Sequence, residues 1–223
     1  MGLDMRPMGK PKNGYEDKFI ELYNLISGKT KQNIGLVGKL KGKKEKTKDE
    51  LLQEWFEIQI PSYETIKAPM VGRDQEANEW IKNKYRQSDH LISEEEFIEK
   101  ARGYYVIELA KEKDGVPMYV AIGQDENVFR GQFLNDCVDI IGENLVAEAW
   151  NTKLANEALD YGIRLMGKAD EIAKVNNLEY LRSQRNPPNS DETKLDWKLH
   201  ILFSVAKWLI FYGKNGHGYE ADY

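Results

Sequence analysis

Two apolar stripes at helical spacing run through residues 195–212. One holds Leu195, Leu199, Leu202, Phe203, Ala206 and Leu209, and the other holds Trp197, Ile201, Val205, Trp208 and Phe211. A helix that is apolar on nearly all sides belongs inside a core. His200, Ser204 and Lys207 interrupt the run, which falls short of the ~18 apolar residues a bilayer crossing requires. The pattern therefore predicts a buried C-terminal helix, capped by Ser190 or Asp191 and ended by Gly213. A second long helix is predicted over 152–175, with Leu154, Ala155, Ala158, Leu159, Gly162, Leu165, Met166, Ala169 and Ile172 inward. Its small residues let the C-terminal helix come close.

Shorter elements follow the same logic. Phe19, Leu22, Tyr23 and Ile26 predict a helix over 15–27 that stops at Gly28. Thr47 to Glu50 reads as a capping box. Phe56, Ile58 and Ile60 alternate with Glu57 and Gln59, which predicts a short strand before Pro61; a helix through Trp55 is the competing reading. Ala77, Trp80, Ile81 and Tyr85 predict a helix near 74–87, and Ser93 opens another that ends by Gly103. Segments 104–110 and 117–122 are the clearest strands, turned around Asp114 and Gly115. A helix capped by Asn127 or Asp125 is predicted to reach Ile141 and stop at Gly142, with a further turn or two over 143–150. Residues 1–14, rich in Gly and Pro, predict no regular structure. These elements add up to one α+β domain over 1–223. It is mainly helical, with a small antiparallel sheet of two or three strands packed against a helical layer and the C-terminal helix buried.

Charge changes this picture at one place. The chain carries a net −5, yet residues 29–48 hold eight lysines and one acid, a local +7 that leaves −12 on the remainder. So basic and sparsely apolar a stretch is expected to be a mobile loop. It either seeks polyanions or lies solvated on the surface. Lys39, Lys41, Lys43 and Lys44 are its candidates for nucleic-acid contact, with a steep salt dependence as the signature. No aromatic residue interleaves the lysines, so a base-stacking platform is not indicated. Cys137 is the single cysteine, which excludes an internal disulfide and a cysteine-built zinc site and favours a reducing compartment. The first twelve residues have no apolar signal core, and Arg6 stands where a myristoylation signal needs Ser or Thr. A cytoplasmic protein without membrane attachment is the expectation.

Motifs of known chemistry are missing. Gly28-Lys-Thr30 lacks the glycine a phosphate loop needs five residues earlier, where Tyr23 stands. Asp136, Asp139 and Glu143 share a helical face, read as a solvated acidic stripe rather than a cation site. With three histidines, no metal centre or cofactor is expected. His200 reads as a hydrogen-bonded interior residue. Cys137 reads as a small core residue. His217, between glycines in Asn215-Gly-His-Gly-Tyr219, reads as a flexible tail residue or, alternatively, as an imidazole placed at a cleft. Arg130, Arg182 and Arg185 make an anion site if they converge. Two function classes follow. The first is a non-catalytic binding protein for an anionic ligand (a nucleotide-like molecule or nucleic acid) or a protein partner, using Arg130, Arg182, Arg185 and His217. The second is a hydrolase-type enzyme assembled from distant residues that include His217 and Arg130. Homo-oligomerisation is left open by the sequence.

Overall fold

The computed structural model describes residues 2–32, 44–89, 91–110, 127–191 and 193–223. Two compact units emerge: Met1–Met8 with Ser62–Tyr223, and Gly9–Pro61. The first unit opens with β1 (Asp4–Pro7). The second holds β2 (Lys10–Pro11), α1 (Glu16–Ile26), α2 (Lys48–Glu57) and β3 (Gln59–Ile60). The first then resumes with α3 (Ser62–Ile66), α4 (Gln75–Arg86), α5 (Glu94–Lys100), β4 (Phe129–Arg130), α6 (Val138–Ile141) and α7 (Glu143–Glu148). It ends with α8 (Ala155–Asn176), α9 (Leu195–Lys214) and β5 (Tyr219–Asp222). The fold class is α+β, as the sequence predicts.

The core of the first unit is the pair α8 and α9. Residues Leu199 to Ala206, Trp208, Leu209, Tyr212 and Gly213 of α9 are all buried, so both apolar stripes are covered. Gly213 does not end the helix. It sits inside α9 because a Cβ there would lie 2.8 Å from the Leu159 nitrogen and 2.9 Å from the Ala155 oxygen of α8. Gly162 opens the same approach from the α8 side, where a Cβ would meet Leu209 Cβ at 2.8 Å. Tyr161 and Ala173 join the buried face of α8 although they stand outside the inward set read from periodicity. At the start of α9 the cap position belongs to Lys194. Asp191 turns back to accept from the Thr193 backbone at 2.9 Å and its hydroxyl at 2.7 Å, and Ser190 donates to Asp196 at 2.8 Å.

A three-stranded antiparallel sheet in the order β4-β1-β5 belongs to the same unit. The N-terminal residues, expected to lack regular structure, supply its middle strand. Met5 pairs with Phe129 on one side and with Ala221 on the other, and Leu3 and Met5 are fully buried. A strand made by partners at opposite ends of the chain leaves no local signature, because its stabilising contacts are all long-range. Pairing also explains why the helix predicted from 127 starts late. Phe129 and Arg130 are taken into the sheet, and Gly131–Cys137 form a 3-10 turn before α6. The expected strand at 104–110 is reduced to a bridge between Met70 and Tyr105, followed by a 3-10 turn over Ile107–Leu109. Its ladder ends where Val106 donates to the carbonyl of Pro69, a residue with no amide hydrogen to give back. The 117–122 strand and the Asp114-Gly115 turn lie outside the described residues.

In the second unit α1 and α2 pack through Phe19, Leu22, Tyr23, Leu51 and Trp55, with the Phe19 and Trp55 rings stacked at 5.2 Å. The Thr47 capping box is formed. The helical reading through Trp55 holds, and the strand shrinks to Gln59–Ile60, paired with Lys10–Pro11. Gln32 clasps Lys46 through both its amide atoms, donating to the carbonyl at 2.7 Å and accepting from the nitrogen at 2.9 Å. Most of the lysine-rich stretch between them, including Lys39, Lys41 and Lys43, lies outside the described residues.

One carboxylate on the sheet carries a pH prediction. Glu220 on β5 is half-buried, and burial pushes its pKa up, with Arg6 opposing. A raised folded-state pKa means its favourable contribution is present below the ordinary carboxylate range and lost as pH rises through the raised value. Glu220→Gln is therefore expected to raise the melting temperature at pH 7 and to be neutral near pH 3. Thermal melts across that range check it; a loss of stability at pH 7 would contradict it.

Candidate functional site

The site begins with a backbone turn. α3 ends at Ile66, and Lys67 takes a left-handed φ of 52°, a rare conformation outside glycine. The chain then runs antiparallel to 103–106: Val71 donates to the Tyr104 carbonyl at 2.8 Å, and Gly103 donates to the Val71 carbonyl at 2.9 Å. This brings Tyr63 and Tyr105 together, their ring centroids 3.8 Å apart and their planes 23° from parallel. Asp74, just before α4, accepts from the Met70 nitrogen at 2.7 Å and from Arg73 Nε at 2.9 Å. Those two bonds hold its carboxyl below the usual carboxylate range, the Met70 bond contributing most. The Arg73 guanidinium lies over the Tyr105 ring, 5.6 Å from its centroid.

The result is a cleft of about 660 Å³ with Ala68 and Pro69 among its lining residues, alongside Tyr63, Tyr105 and the first turns of α4 with Gln75, Glu76 and Glu79. Its volume is in the range of small-ligand sites. Four carboxylates (Glu64, Asp74, Glu76, Glu79) and two cations (Lys67, Arg73) line it, a net −2. The Tyr105 hydroxyl donates to Glu64 at 3.4 Å, and burial, with Tyr63 and Glu64 nearby, pushes its pKa up. A phenol so placed stays protonated and serves as a donor, not as a base.

The residues singled out from sequence are not gathered there. Arg130 faces Asp4 across β4 and β1, with N–O distances of 3.0 and 3.1 Å. Arg182 grips Asp170 at 2.9 and 3.1 Å. Arg185 is exposed and makes no ion pair among the described residues. His217 is no flexible tail residue. It is fully buried, Nδ1 at 2.8 Å from the Met8 carbonyl and Nε2 at 2.7 Å from the Thr65 hydroxyl. Because a carbonyl only accepts, Nδ1 carries the hydrogen and Nε2 accepts from Thr65. The three partnered residues, Arg130, Arg182 and His217, thus hold separate partners. Lys44 is exposed. His200 is an interior residue, 3.2 Å from the Gln184 carbonyl, and burial holds its pKa below the ordinary value. Cys137 is buried and its thiol pushed up to about 12, so it is inert at neutral pH. Asp139 is bound to Lys198 at 2.8 Å, and no cluster of three metal-ligating side chains occurs among the described residues.

Arg182 does line a second, shallower groove of about 650 Å³, with Met166, Glu179, Ser183, Lys207, Ile210 and Lys214. Lys207, Ile210 and Lys214 fall on one face of α9. Sequence reasoning passed over Tyr63, Arg73, Asp74 and Tyr105. The only trace of them is a pair of aromatics beside turn residues, 42 positions apart, and nothing local pairs them.

Fold and cleft together define an α+β protein with an acidic, aromatic-walled cleft. No family model, curated protein or solved structure matches the chain. No helix among the described residues is long and apolar enough to cross a membrane.

Proposed function

We propose that this is a non-catalytic binding protein that holds its ligand in the cleft at Tyr63 and Tyr105. The stacked tyrosine pair carries the reading. Two large half-buried rings beside convergent polar groups are the usual composition of a recognition site. Binding is favoured over catalysis by the state of the reactive groups. The thiol is buried and protonated, His200 and His217 are hydrogen-bonded in the interior, and the cleft tyrosine holds its proton. The hydrolase alternative built on His217 and Arg130 has less support, because His217 bonds Met8 and Thr65 whereas Arg130 is paired with Asp4.

A second reading keeps the anionic ligand. The groove with Arg182, Lys207 and Lys214 favours it, since three cations line it beside one acid, Glu179, and of these Arg182 is also held by Asp170. Amide chemical-shift mapping of the intact protein against a fragment library separates the two. Shifts are expected to cluster on 63–79 and 104–106 and to vanish in Tyr105→Leu. Clustering on 179–183 and 207–214 would favour the anion groove, and no clustered shifts with any fragment would reject the cleft.

A further inference from the structure

The cleft's charges do not balance, and the imbalance selects its ligand. Arg73 and Asp74 neutralise each other at 2.9 Å. What is left is Glu64, Glu76 and Glu79 against Lys67, which has a partner of its own. Glu79 accepts from the neutral amide of Gln75 at 2.8 Å and keeps its charge, while Glu64 accepts from the Tyr105 hydroxyl and has its charge partly offset by Arg73. Glu76 is exposed and makes no ion pair among the described residues. A concave wall of one sign concentrates ions of the other. The rings point the same way. A tyrosine face is electron-rich and attracts a guanidinium or ammonium group, and Arg73 already rests on Tyr105 in that manner. An incoming anion would instead meet three carboxylates, with the cleft's own cations already engaged.

Size and spacing narrow the class. Glu76 and Glu79 stand three residues apart on one face of α4, and Glu64 on a different helix. Carboxylates spread over two elements suit a chain bearing more than one positive group better than one small cation. About 660 Å³ admits a few side chains, not a folded domain.

From this charge complementarity we infer that the cleft takes an arginine- or lysine-bearing peptide segment of a partner protein, a cationic group against Tyr63 with Glu64, Glu76 and Glu79 around it. This rests on the cleft reading above and adds the class of ligand.

Calorimetric titration of the intact protein with end-blocked tetra-arginine tests it, with end-blocked tetra-glutamate and tetra-serine as comparisons. Only tetra-arginine is expected to bind, more weakly as salt rises. The double substitution Glu76→Gln with Glu79→Gln, on exposed positions that leave the fold intact, should weaken it about fivefold or more. Tyr63→Leu should weaken it about threefold or more. Glu143→Gln with Glu171→Gln, acids outside the cleft, should change it by less than about twofold. Equal losses from the two double variants would mean diffuse attraction to an acidic surface and would overturn the inference. Binding of tetra-glutamate that depends on Tyr63 would overturn the cationic class and leave the cleft reading standing. Failure of all three peptides also overturns it, whereas the cleft itself stands or falls on the fragment mapping.

Discussion

Trp208→Ala is expected to remove about 3–5 kcal/mol of folding stability, a large part of the roughly 5–15 kcal/mol that holds a typical domain together. Trp208 is fully buried on α9, its ring 4.8 Å from Tyr212, 5.9 Å from Phe129 and 6.2 Å from Tyr219. Its Nε1 donates to the Asn127 carbonyl at 2.9 Å. Alanine leaves both a cavity and a buried carbonyl without its donor. Trp208→Phe separates the two losses, because it refills most of the volume and still orphans the carbonyl, for about 1–3 kcal/mol. Urea unfolding measures both variants. A loss under about 1 kcal/mol for the alanine variant would mean the ring is not part of a close-packed interior.

The second large effect concerns the sign of a glycine substitution. In an exposed helix interior, Gly→Ala gains roughly 1 kcal/mol by restricting the unfolded chain and favouring helix. Gly167 on α8 is such a place, with nothing within 4 Å of an added Cβ. Gly167→Ala is expected to stabilise by about that amount. Gly213 on α9 should reverse the sign, because its Cβ would meet the α8 backbone at 2.8 and 2.9 Å. Backbone cannot swing away as a side-chain tip does, so the two helices must part. Gly213→Ala is expected to destabilise, and Gly213→Val to cost about 3 kcal/mol or more. Paired unfolding curves decide it; stabilisation by Gly213→Ala would show that α8 and α9 do not pack this closely.

How far the chain could be read in advance follows from where each element draws its stability. α1, α4, α8 and α9 carry their own signal, because a helix face repeats every three to four residues and its hydrogen bonds are internal. Thr47 is likewise legible, since a capping box is closed within four residues. For Trp208 the second apolar stripe allows either a second cover or an exposed aromatic patch, and the structure buries it. β1 was not legible: Arg6 meets Asp222 across 216 residues, and a four-residue strand that ends on Pro7, with Gly2 before it and Gly9 after it, looks locally like a loop. His217 misled for the same reason. The glycines around it suggest freedom, and only the approach of Met8 and Thr65 takes that freedom away.

The sequence by itself determined the class of the protein, its long helices and most of their inward faces, the buried fate of His200 and Cys137, and the separation of a basic stretch from an acidic remainder. Each follows from patterns complete within a turn or two of helix, or from simple counts. Only the tertiary structure decided the rest: which strands pair, that Gly213 is a contact and not a stop, that Arg130, Arg182 and His217 are each taken by separate partners, and that Tyr63 and Tyr105 meet above a cleft bordered by Glu64, Glu76 and Glu79. Those outcomes depend on contacts between residues far apart in the chain, and a one-dimensional pattern carries hydrophobicity and charge but not the coordinates at which two distant side chains arrive.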